Sequence, residues 1–350
     1  MAERNGARRD EGPATTAVGE GAAVVTADGF ARPAGEGARM PRSGRQHAIA
    51  SHGYRAEIAS VGASLRTLRL EGRDLVVPFD ADEVRPVFLG ATLAPWPNRV
   101  VDGRYAFAGV ERRLPLTEPA RGHALHGLVA WLDFAARVVE PDRVVLAAVV
   151  EPQPGYPHRV EVEVRYRLDR DGLLQTVTGR NLGPDAAPWG AGPHPYLVAG
   201  PGRVDDWTLE LPADDVLVVT PDRLSPVAVE PVDAHPGLDF RAPRRVGSTF
   251  VDHAFTRLRA VPGAVLGPAS GYRVVVRAPG GSGVEMAWGA ACPWVQVHTA
   301  DTPGAGETDR VGLAVEPMTC PPDAFNSGAD LIVLQPGEAS SASWRIAGFD

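Results

Sequence analysis

Lysine is absent from the 350-residue chain, so all 35 of its strongly basic side chains are arginines. Schiff-base catalysis and phosphate binding by a P-loop both depend on a lysine, and both are therefore excluded. The chain also lacks G-x-S-x-G, and it has no G-x-G-x-x-G after a strand. A hydrolase with a nucleophile elbow and a dinucleotide-binding fold are therefore not expected.

Cysteine and long apolar runs are scarce, and the net charge is negative. Cys292 and Cys320 stand outside any C-x-x-C pair, which is typical of buried thiols in a reducing compartment, and we expect a cytoplasmic protein. The longest apolar run, 144–150, is far shorter than the roughly 18 residues that a membrane helix needs. With a net charge of −8 and no basic stripe, the chain is expected to bind neither nucleic acid nor a membrane. A neutral small molecule fits best as partner.

Glycine and proline are abundant, with 39 and 33 residues, which suits short strands joined by tight turns. Residues 1–44 are rich in Ala, Gly, Arg and Glu and show no strand pattern. We interpret them as a disordered leader, because they bury too little apolar surface to offset the entropy of ordering. From residue 45 to residue 350 no linker or repeat interrupts the chain, which predicts one domain.

Alternation of apolar and polar residues dominates this domain. In RVEVEVRYRL, 159–168, every second residue from Val160 to Leu168 is apolar and would lie on one face of a strand. Similar segments recur at 54–60, 64–70, 143–150, 173–180, 207–211, 272–278, 284–288, 294–298, 331–335 and 341–347. Turn residues such as DRDG (169–172) and APGGSG (278–283) separate some of them, and no long helix does. The pattern predicts an all-β fold, a large antiparallel β-sandwich.

Two polar side chains lie where proton transfer is possible. His194 sits among glycines and prolines in GAGPHPYL, and a histidine near its ordinary pKa can give or take a proton at neutral pH. Its ring could instead be bonded to a backbone carbonyl. Glu316 ends an apolar run and is followed by Pro317, so partial burial would raise its pKa and make it a better base. An ion pair with an arginine is the alternative for Glu316.

Other side chains could bind a ligand. Asn98 and Arg99 follow two prolines and could bind hydroxyls or a phosphate, although a surface arginine is also solvated without function. Asp252 could hold a sugar hydroxyl or begin a turn, and Gln296 points away from both of its valine neighbours on a strand. Trp189 and Trp294 could stack on a sugar or pack in the core.

A metal site is not expected. His123 and His126 have a spacing of three residues, but neither H-E-x-x-H nor a cysteine partner accompanies them.

Six motifs in order give the chain a resemblance to a known family. They are NRV with DGRYAFAG (98–109), LHGL with Trp131 (125–131), His-Pro-Tyr (194–196), VDHAF (251–255), WVQVHT (294–299) and VEPMTCPPDAFNSG with LQPGE (315–338). In order and spacing they resemble the aldose 1-epimerases, or galactose mutarotases, over nearly the whole chain after residue 45. Gly127-Leu128-Val129 and Leu197-Val198 depart from common family patterns, which leaves the preferred sugar open.

The resemblance implies a β-supersandwich and interconversion of the α and β anomers of a free aldose without a cofactor. It implies that Glu316 is the catalytic base and His194 the catalytic acid. It further implies that Arg99, His126 and Asp252 bind substrate, with Gln296 as an additional binding residue, and Asn98 adjoins them.

Three rival functions remain open at this point. A hexose-6-phosphate 1-epimerase resembles these proteins and holds its phosphate with arginines, and arginine content cannot decide because every strong base here is arginine. A non-catalytic sugar-binding or sensing protein would keep the sugar pocket but would not accelerate the exchange of anomers. A β-sandwich whose loop histidines serve only structural purposes would neither bind a sugar nor accelerate the exchange of its anomers. The oligomeric state does not follow from the sequence.

Overall fold

The computed structural model describes residues 39–261, 271–301 and 309–350. The predicted leader, as far as residue 38, lies outside the described residues. The compact unit extends from Pro41 to Asp350. Within it the Ser43 hydroxyl donates to the Ala81 carbonyl oxygen at 2.8 Å, so residues just before position 45 pack on the domain.

Strands are the main secondary structure of the described chain. The first half contains β1 (Gln46–Ser51), β2 (Tyr54–Ala59), β3 (Ser64–Leu70), β4 (Arg73–Asp74), β5 (Thr92–Leu93), β6 (Arg99–Val101), β7 (Arg104–Phe107), β8 (Val110–Arg113), β9 (His123–Leu125), β10 (Ala135–Val139), β11 (Arg143–Val150), β12 (Val160–Asp169) and β13 (Gly172–Asn181). The second half contains β14 (Ala187–Trp189), β15 (Gly192–Pro193), β16 (Tyr196–Leu197), β17 (Thr208–Glu210), β18 (Ala213–Val219), β19 (Pro226–Pro231), β20 (Arg244–Arg245), β21 (Asp252–Leu258), β22 (Tyr272–Arg277), β23 (Gly283–Trp288), β24 (Trp294–His298), β25 (Leu313–Met318), β26 (Ile332–Leu334) and β27 (Ala339–Phe349).

Helical structure in the described residues is brief. One α-helix, α1, spans Ala324–Ser327, and the 3-10 turns are Pro86–Phe88, Val129–Trp131, Val204–Asp206, Val232–Ala234 and Pro236–Leu238. Within the three described ranges no helix has the length and apolarity needed to cross a bilayer.

Two large antiparallel sheets dominate the fold, as the sequence predicted. One has nine strands in the order β10-β11-β12-β13-β27-β23-β22-β17-β20, and the other has six in the order β16-β25-β24-β21-β18-β19. A four-stranded sheet, β1-β2-β3-β4, and several two-stranded pairs complete the described part. Both large sheets contribute to one hydrophobic cluster, with Val164 and Trp344 from the first and Val297 and Val315 from the second.

The strand β12 shows how the sequence pattern produces this core. Its residues Val160, Val162, Val164, Tyr166 and Leu168 are at most 1% exposed, while the intervening side chains are partly exposed. Burial of each such apolar side chain stabilises the fold by about 1.5–3 kcal/mol relative to leaving it in water. The tight turn predicted at 169–172 joins β12 to β13, with Asp169 opposite Gly172.

The tryptophans and cysteines are part of the packing. Trp189 and Trp294, which the sequence left as possible sugar-stacking residues, are 1% and 6% exposed. They pack in the core and therefore offer no open ring face to a sugar. Cys292 and Cys320 are both buried and free, as expected of thiols that form no disulfide.

Candidate active site

One face of the six-stranded sheet carries a group of polar side chains. In the register of β24 with β25, Gln296 lies opposite Glu316, and in the register of β21 with β24, Asp252 lies opposite His298. Residues at alternate positions of a strand share a face, so these four side chains lie on the same side of the sheet. Tyr196 is added on that side by β16, where it lies opposite Ala314.

His194 is held above this face by the segment that precedes β5. Its backbone N–H donates to the Ala91 carbonyl oxygen at 3.0 Å, and its own carbonyl oxygen accepts from the Gly90 N–H at 2.8 Å. Gly90 has φ +63°, and a Cβ there would lie 2.0 Å from the Leu65 carbonyl oxygen. A glycine is therefore required where this segment crosses β3.

His126 and Asn98 lie in turns with left-handed backbone, at φ 62° and 55°. The N–H of His126 donates to the carbonyl oxygen of Asn98 at 2.8 Å, which joins the two turns. Such a conformation is unfavourable for a residue with a Cβ and persists where surrounding contacts enforce it. Both turns project their side chains into the same cavity.

The side chains meet around a cavity of about 290 Å³. Its walls include all seven residues that the sequence singled out: Asn98, Arg99, His126, His194, Asp252, Gln296 and Glu316. It is also lined by Val87, Phe88, Glu118, Arg121, Leu125, Tyr196, His298 and Asp301. A concave site with a few convergent polar groups is typical of small-molecule binding.

The carboxylate of Glu316 and the ring of His194 approach each other directly. His194 Nε2 lies 3.4 Å from Glu316 Oε1, and the two side chains are only 6% and 2% exposed. The ring of His126 meets the ring of His194 edge to face, with centroids 4.9 Å apart. All three side chains belong to buried residues of the cavity wall.

Burial favours the uncharged form of each of these groups. It raises the pKa of Glu316 well above its ordinary range, with a further contribution from Asp252 that Arg99 partly offsets. It lowers the pKa of His194 to about 3, helped by His298. Burial, with the neighbouring His194, also lowers the pKa of His126 far below its ordinary value. Burial in the cavity wall therefore stabilises neutral imidazoles and a protonated carboxyl.

Several polar atoms of the cavity have no hydrogen-bond partner among the described residues. They are Nδ1 of His126, Nδ1 of His194, Oε1 of Gln296, Nδ1 of His298 and Oε2 of Glu316. Buried polar atoms without partners destabilise a protein and are rare in folded chains. A ligand rich in hydroxyl groups could satisfy several of them at once.

Arg99 is fixed by a second carboxylate that the sequence did not reveal. Its Nε donates to Glu118 Oε2 at 2.8 Å and its Nη2 to Oε1 at 3.1 Å, so the contact is bidentate. Asp252 lies 3.8 Å from the same Nη2, and Gln296 Nε2 donates to Asp252 Oδ1 at 2.6 Å. Although burial opposes the charged form, the bonds to Glu118 and the nearby Asp252 raise the pKa of Arg99.

Asn98 acts on Arg99 as well as lining the cavity. Its Oδ1 accepts from the Arg99 backbone N–H at 2.9 Å and from Nη1 at 3.3 Å. The guanidinium is therefore oriented from two sides, by Asn98 and by Glu118. One further N–H on each of Nη1 and Nη2 remains for a ligand in the cavity.

The distances between three side chains of the cavity are compatible with a bound metal ion. One ligand atom each from His126, His194 and Glu316 lie within 4.8 Å of one another. The sequence considered His123 and His126 as a pair of metal ligands. In the structure His123 Nε2 forms a hydrogen bond with the carbonyl oxygen of Arg223 at 2.9 Å instead. The prediction that no metal is needed stays a prediction.

Sequence reasoning missed several residues of this cavity. His298 lies two positions after Gln296 on β24, so strand alternation alone could have revealed that both share a face. Tyr196 lies in the His-Pro-Tyr motif but was given no role. Glu118 and Phe88 carried no signal, because their approach to Arg99 and His126 depends on long-range packing.

Comparison with known proteins agrees with the architecture. The C. elegans GalM/aldose epimerase homologue has a TM-score of 0.75 at 20% identity, covering 87% of this chain and 98% of that one. Galactose 1-epimerase from Lactobacillus acidophilus has a TM-score of 0.67 at 19% identity, covering 85% and 92%. The fold is thus that of the galactose mutarotase-like β-sandwich proteins.

Sequence comparison shows the family. The aldose 1-epimerase family model matches residues 45–347. A relative from Escherichia coli K12, named uncharacterized protein YihR, is 34% identical over 310 residues, which cover 88% of this chain and 95% of the relative. The chain belongs to the aldose 1-epimerase family.

Proposed function

We propose that this protein interconverts the α and β anomers of a free aldose. The observation that carries the proposal is the 3.4 Å approach of His194 Nε2 to Glu316 Oε1 at the wall of a polar cavity. The two oxygens that exchange protons during mutarotation are both attached to C1 of the sugar. An acid and a base that serve them therefore need to be close neighbours.

The chemistry requires two proton transfers in each direction. Glu316 takes the proton of the C1 hydroxyl while His194 delivers one to the ring oxygen, so the C1–O5 bond breaks and C1 becomes an aldehyde carbon. After rotation about C1–C2 the two groups exchange roles, and the ring closes on the other face. Neither step changes the number of protons on the pair as a whole.

Substrate binding selects the reactive form of the pair. A carboxyl and an imidazole that share one proton can hold it on either group, and burial by itself favours the neutral form of both. The C1 hydroxyl is a donor and prefers a carboxylate, while the ring oxygen accepts only and prefers a protonated imidazole. A bound sugar therefore draws the proton from Glu316 to His194.

The remaining polar residues bind and orient the sugar in this proposal. Arg99 and Asp252 offer the remaining guanidinium N–H groups and a carboxylate to hydroxyl groups, and Gln296 supplies its unpartnered Oε1. His126, neutral because its pKa is lowered by burial, can accept from or donate to a further hydroxyl. Asn98 acts mainly through Arg99.

The charge of the cavity supports an uncharged sugar over a hexose 6-phosphate. Both arginines of the cavity wall, Arg99 and Arg121, are already bonded to Glu118. Asp252 adds a carboxylate 3.8 Å from Arg99, and Asp301 adds one that is paired with Arg310. A phosphate would have to compete with these carboxylates for the guanidinium groups, and unfavourable juxtaposition of like charges costs several kcal/mol.

The test is a panel of sugars followed by polarimetry, with the spontaneous rate subtracted. We expect acceleration of mutarotation for at least one of D-glucose, D-galactose and D-xylose, and a kcat/KM for glucose 6-phosphate at least about tenfold lower than for glucose. Saturable binding of the neutral sugars without acceleration would mean a sugar-binding or sensing protein instead. Faster turnover of glucose 6-phosphate than of glucose would favour the phosphate-specific alternative.

A further inference from the structure

Trp131 is exposed, in contrast to the other tryptophans of the chain. It is 54% accessible, while Trp96, Trp189, Trp207, Trp288, Trp294 and Trp344 are all buried. An indole in water leaves a large apolar surface hydrated, which is unfavourable unless something covers it in the working protein. Its position at the end of the 3-10 turn Val129–Trp131 places it five residues after His126.

The ring of Trp131 is held in place from one side by Arg85. The Arg85 guanidinium carbon lies 4.5 Å from the ring centroid, a cation–π contact. Arg85 itself is only 5% exposed, and its Nη2 donates to the Ala130 carbonyl oxygen at 2.5 Å. An aromatic ring fixed by a buried cation loses little conformational entropy when a ligand stacks on it.

Phe88 connects Trp131 to the active-site cavity. The Phe88 ring centroid lies 6.1 Å from that of Trp131 and 4.7 Å from that of His126, and Phe88 is part of the cavity wall. Val87 and Phe88 adopt left-handed backbone, with φ 36° and 59°, which is strained for both residue types. This turn presents an apolar edge that runs from His126 outward to Trp131.

A second, smaller cavity borders Trp131. It measures about 170 Å³ and is lined by Arg42, Ser43, Val61, Val84, Arg85 and Trp131. Val84 is 60% exposed and Arg42 is also exposed, so the opening combines an apolar wall with a hydrogen-bond donor. A pyranose has the complementary character, because its C–H face is apolar and its rim carries hydroxyl groups.

We propose that Trp131 is the platform of an outer sugar subsite. It takes the second ring of a reducing disaccharide or longer oligosaccharide, whose reducing-end aldose occupies the cavity beside His194 and Glu316. The inference rests on the proposed function, since it places the reactive C1 at that pair. The occupant is a sugar because the platform is continuous, through Phe88, with a cavity that is itself suited to one.

Kinetics can separate this subsite from the catalytic groups. The probes are glucose and the disaccharides maltose, cellobiose and gentiobiose, with mutarotation measured for each. We expect at least one disaccharide to lose about tenfold in kcat/KM relative to glucose when Trp131→Ala is introduced, because the truncation removes the aromatic face on which the second sugar ring would stack. Trp131→Phe should restore most of that ratio, and Val139→Ala, at an exposed valine of β10, should leave it unchanged.

The outcomes distinguish this inference from the proposed function. If the unaltered protein accelerates no sugar at all, the proposed function fails. If it turns over glucose but Trp131→Ala changes no disaccharide-to-glucose ratio, the outer subsite is refuted. An equal loss for glucose and every disaccharide would also refute it, because Trp131 would then act on the cavity itself.

A fluorescence measurement tests the subsite without relying on turnover. Iodide quenches exposed tryptophans, so the quenchable emission should come from Trp131 and should disappear in Trp131→Phe. Saturating disaccharide should protect this component against iodide by at least about twofold if the ring is covered over one face, whereas saturating glucose should not. Unchanged quenching in the presence of every saturating disaccharide would overturn the proposal.

Discussion

Glu316 and His194 owe their protonation to the depth at which they lie. Both side chains are almost fully buried, and burial moves the pKa of the carboxyl upward and that of the imidazole downward. Between the two pKa values the pair carries one proton, which is the state that can both accept and donate. In the proposed mechanism, deep burial therefore widens the pH range in which the pair can act.

This reasoning predicts the pH dependence of kcat/KM. At low pH the pair binds a second proton, and no carboxylate remains to accept the proton of the C1 hydroxyl. At high pH the single proton is lost and nothing remains to protonate the ring oxygen. Because the pKa of His194 is lowered to about 3 and that of Glu316 is raised above its ordinary 4.5, the acid limb should lie below the ordinary histidine range and the alkaline limb well above 4.5.

The measurement is polarimetric kcat/KM against pH, with a fall of about tenfold per pH unit beyond each limb. The rate of spontaneous mutarotation at each pH serves as the background. An acid limb at the ordinary histidine pKa of about 6.5 would contradict the account.

At the residue scale the sequence predicted the cavity only in part. Glu316 and Gln296 could be recognised because they interrupt apolar strands, and His194 because proline and glycine surround it. Glu118 could not be recognised, because its role is a bidentate bond to Arg99 and nothing in the neighbouring sequence indicates that the two residues are partners. For Trp189 and Trp294 the sequence left sugar stacking and core packing open, because tryptophan composition does not reveal which ring is covered, and both rings are buried.

Turns rather than strands deliver several of the polar side chains. His126 follows β9 and is succeeded by Gly127, whose φ is +76° and whose added Cβ would lie 2.1 Å from the Ala94 carbonyl oxygen. This close passage sets where the His126 side chain enters the cavity. The turn is therefore sensitive to any side chain at position 127.

Gly127→Ala should destabilise the protein by more than about 2 kcal/mol and reduce mutarotation, because it adds a steric clash to an unfavourable φ. Gly109→Ala is a matched control: Gly109 has the same φ of +76° but nothing within 4 Å of an added Cβ. The free energy of unfolding of the control should fall only by the conformational penalty, about 1–2 kcal/mol. Urea denaturation of both variants measures the difference, and equal destabilisation would contradict the clash.

At the element scale, strands could be predicted and their partners could not. The hairpin of β12 with β13 is local, and both its alternation and its turn were visible in the sequence. By contrast, β13 pairs on its other edge with β27, so that Gln175 lies opposite Trp344 across a separation of 169 residues. Such a pairing depends on the whole core rather than on nearby residues.

At the scale of the whole molecule, the fold brings together the two groups that we propose as acid and base. His194 follows β15, while Glu316 lies within β25, and β16 pairs with β25 immediately after the histidine. The six-stranded sheet shares one hydrophobic cluster with the nine-stranded sheet, so the distance between the two groups is set by the packing of the entire domain. Dense packing of the core favours a fixed separation of the two groups, which the proposed proton transfer over a short distance requires.

The central claim is that Glu316 and His194 exchange protons with one sugar ring. The most direct test compares the unaltered protein with Glu316→Gln in catalysed mutarotation of its best aldose, after circular dichroism has established that the variant is folded. Glutamine has nearly the same shape and is neutral, like the protonated carboxyl that burial favours, so the fold should tolerate it. We expect the rate to fall by at least about two orders of magnitude, and His194→Asn to behave likewise. A folded Glu316→Gln protein with nearly full activity would contradict the account.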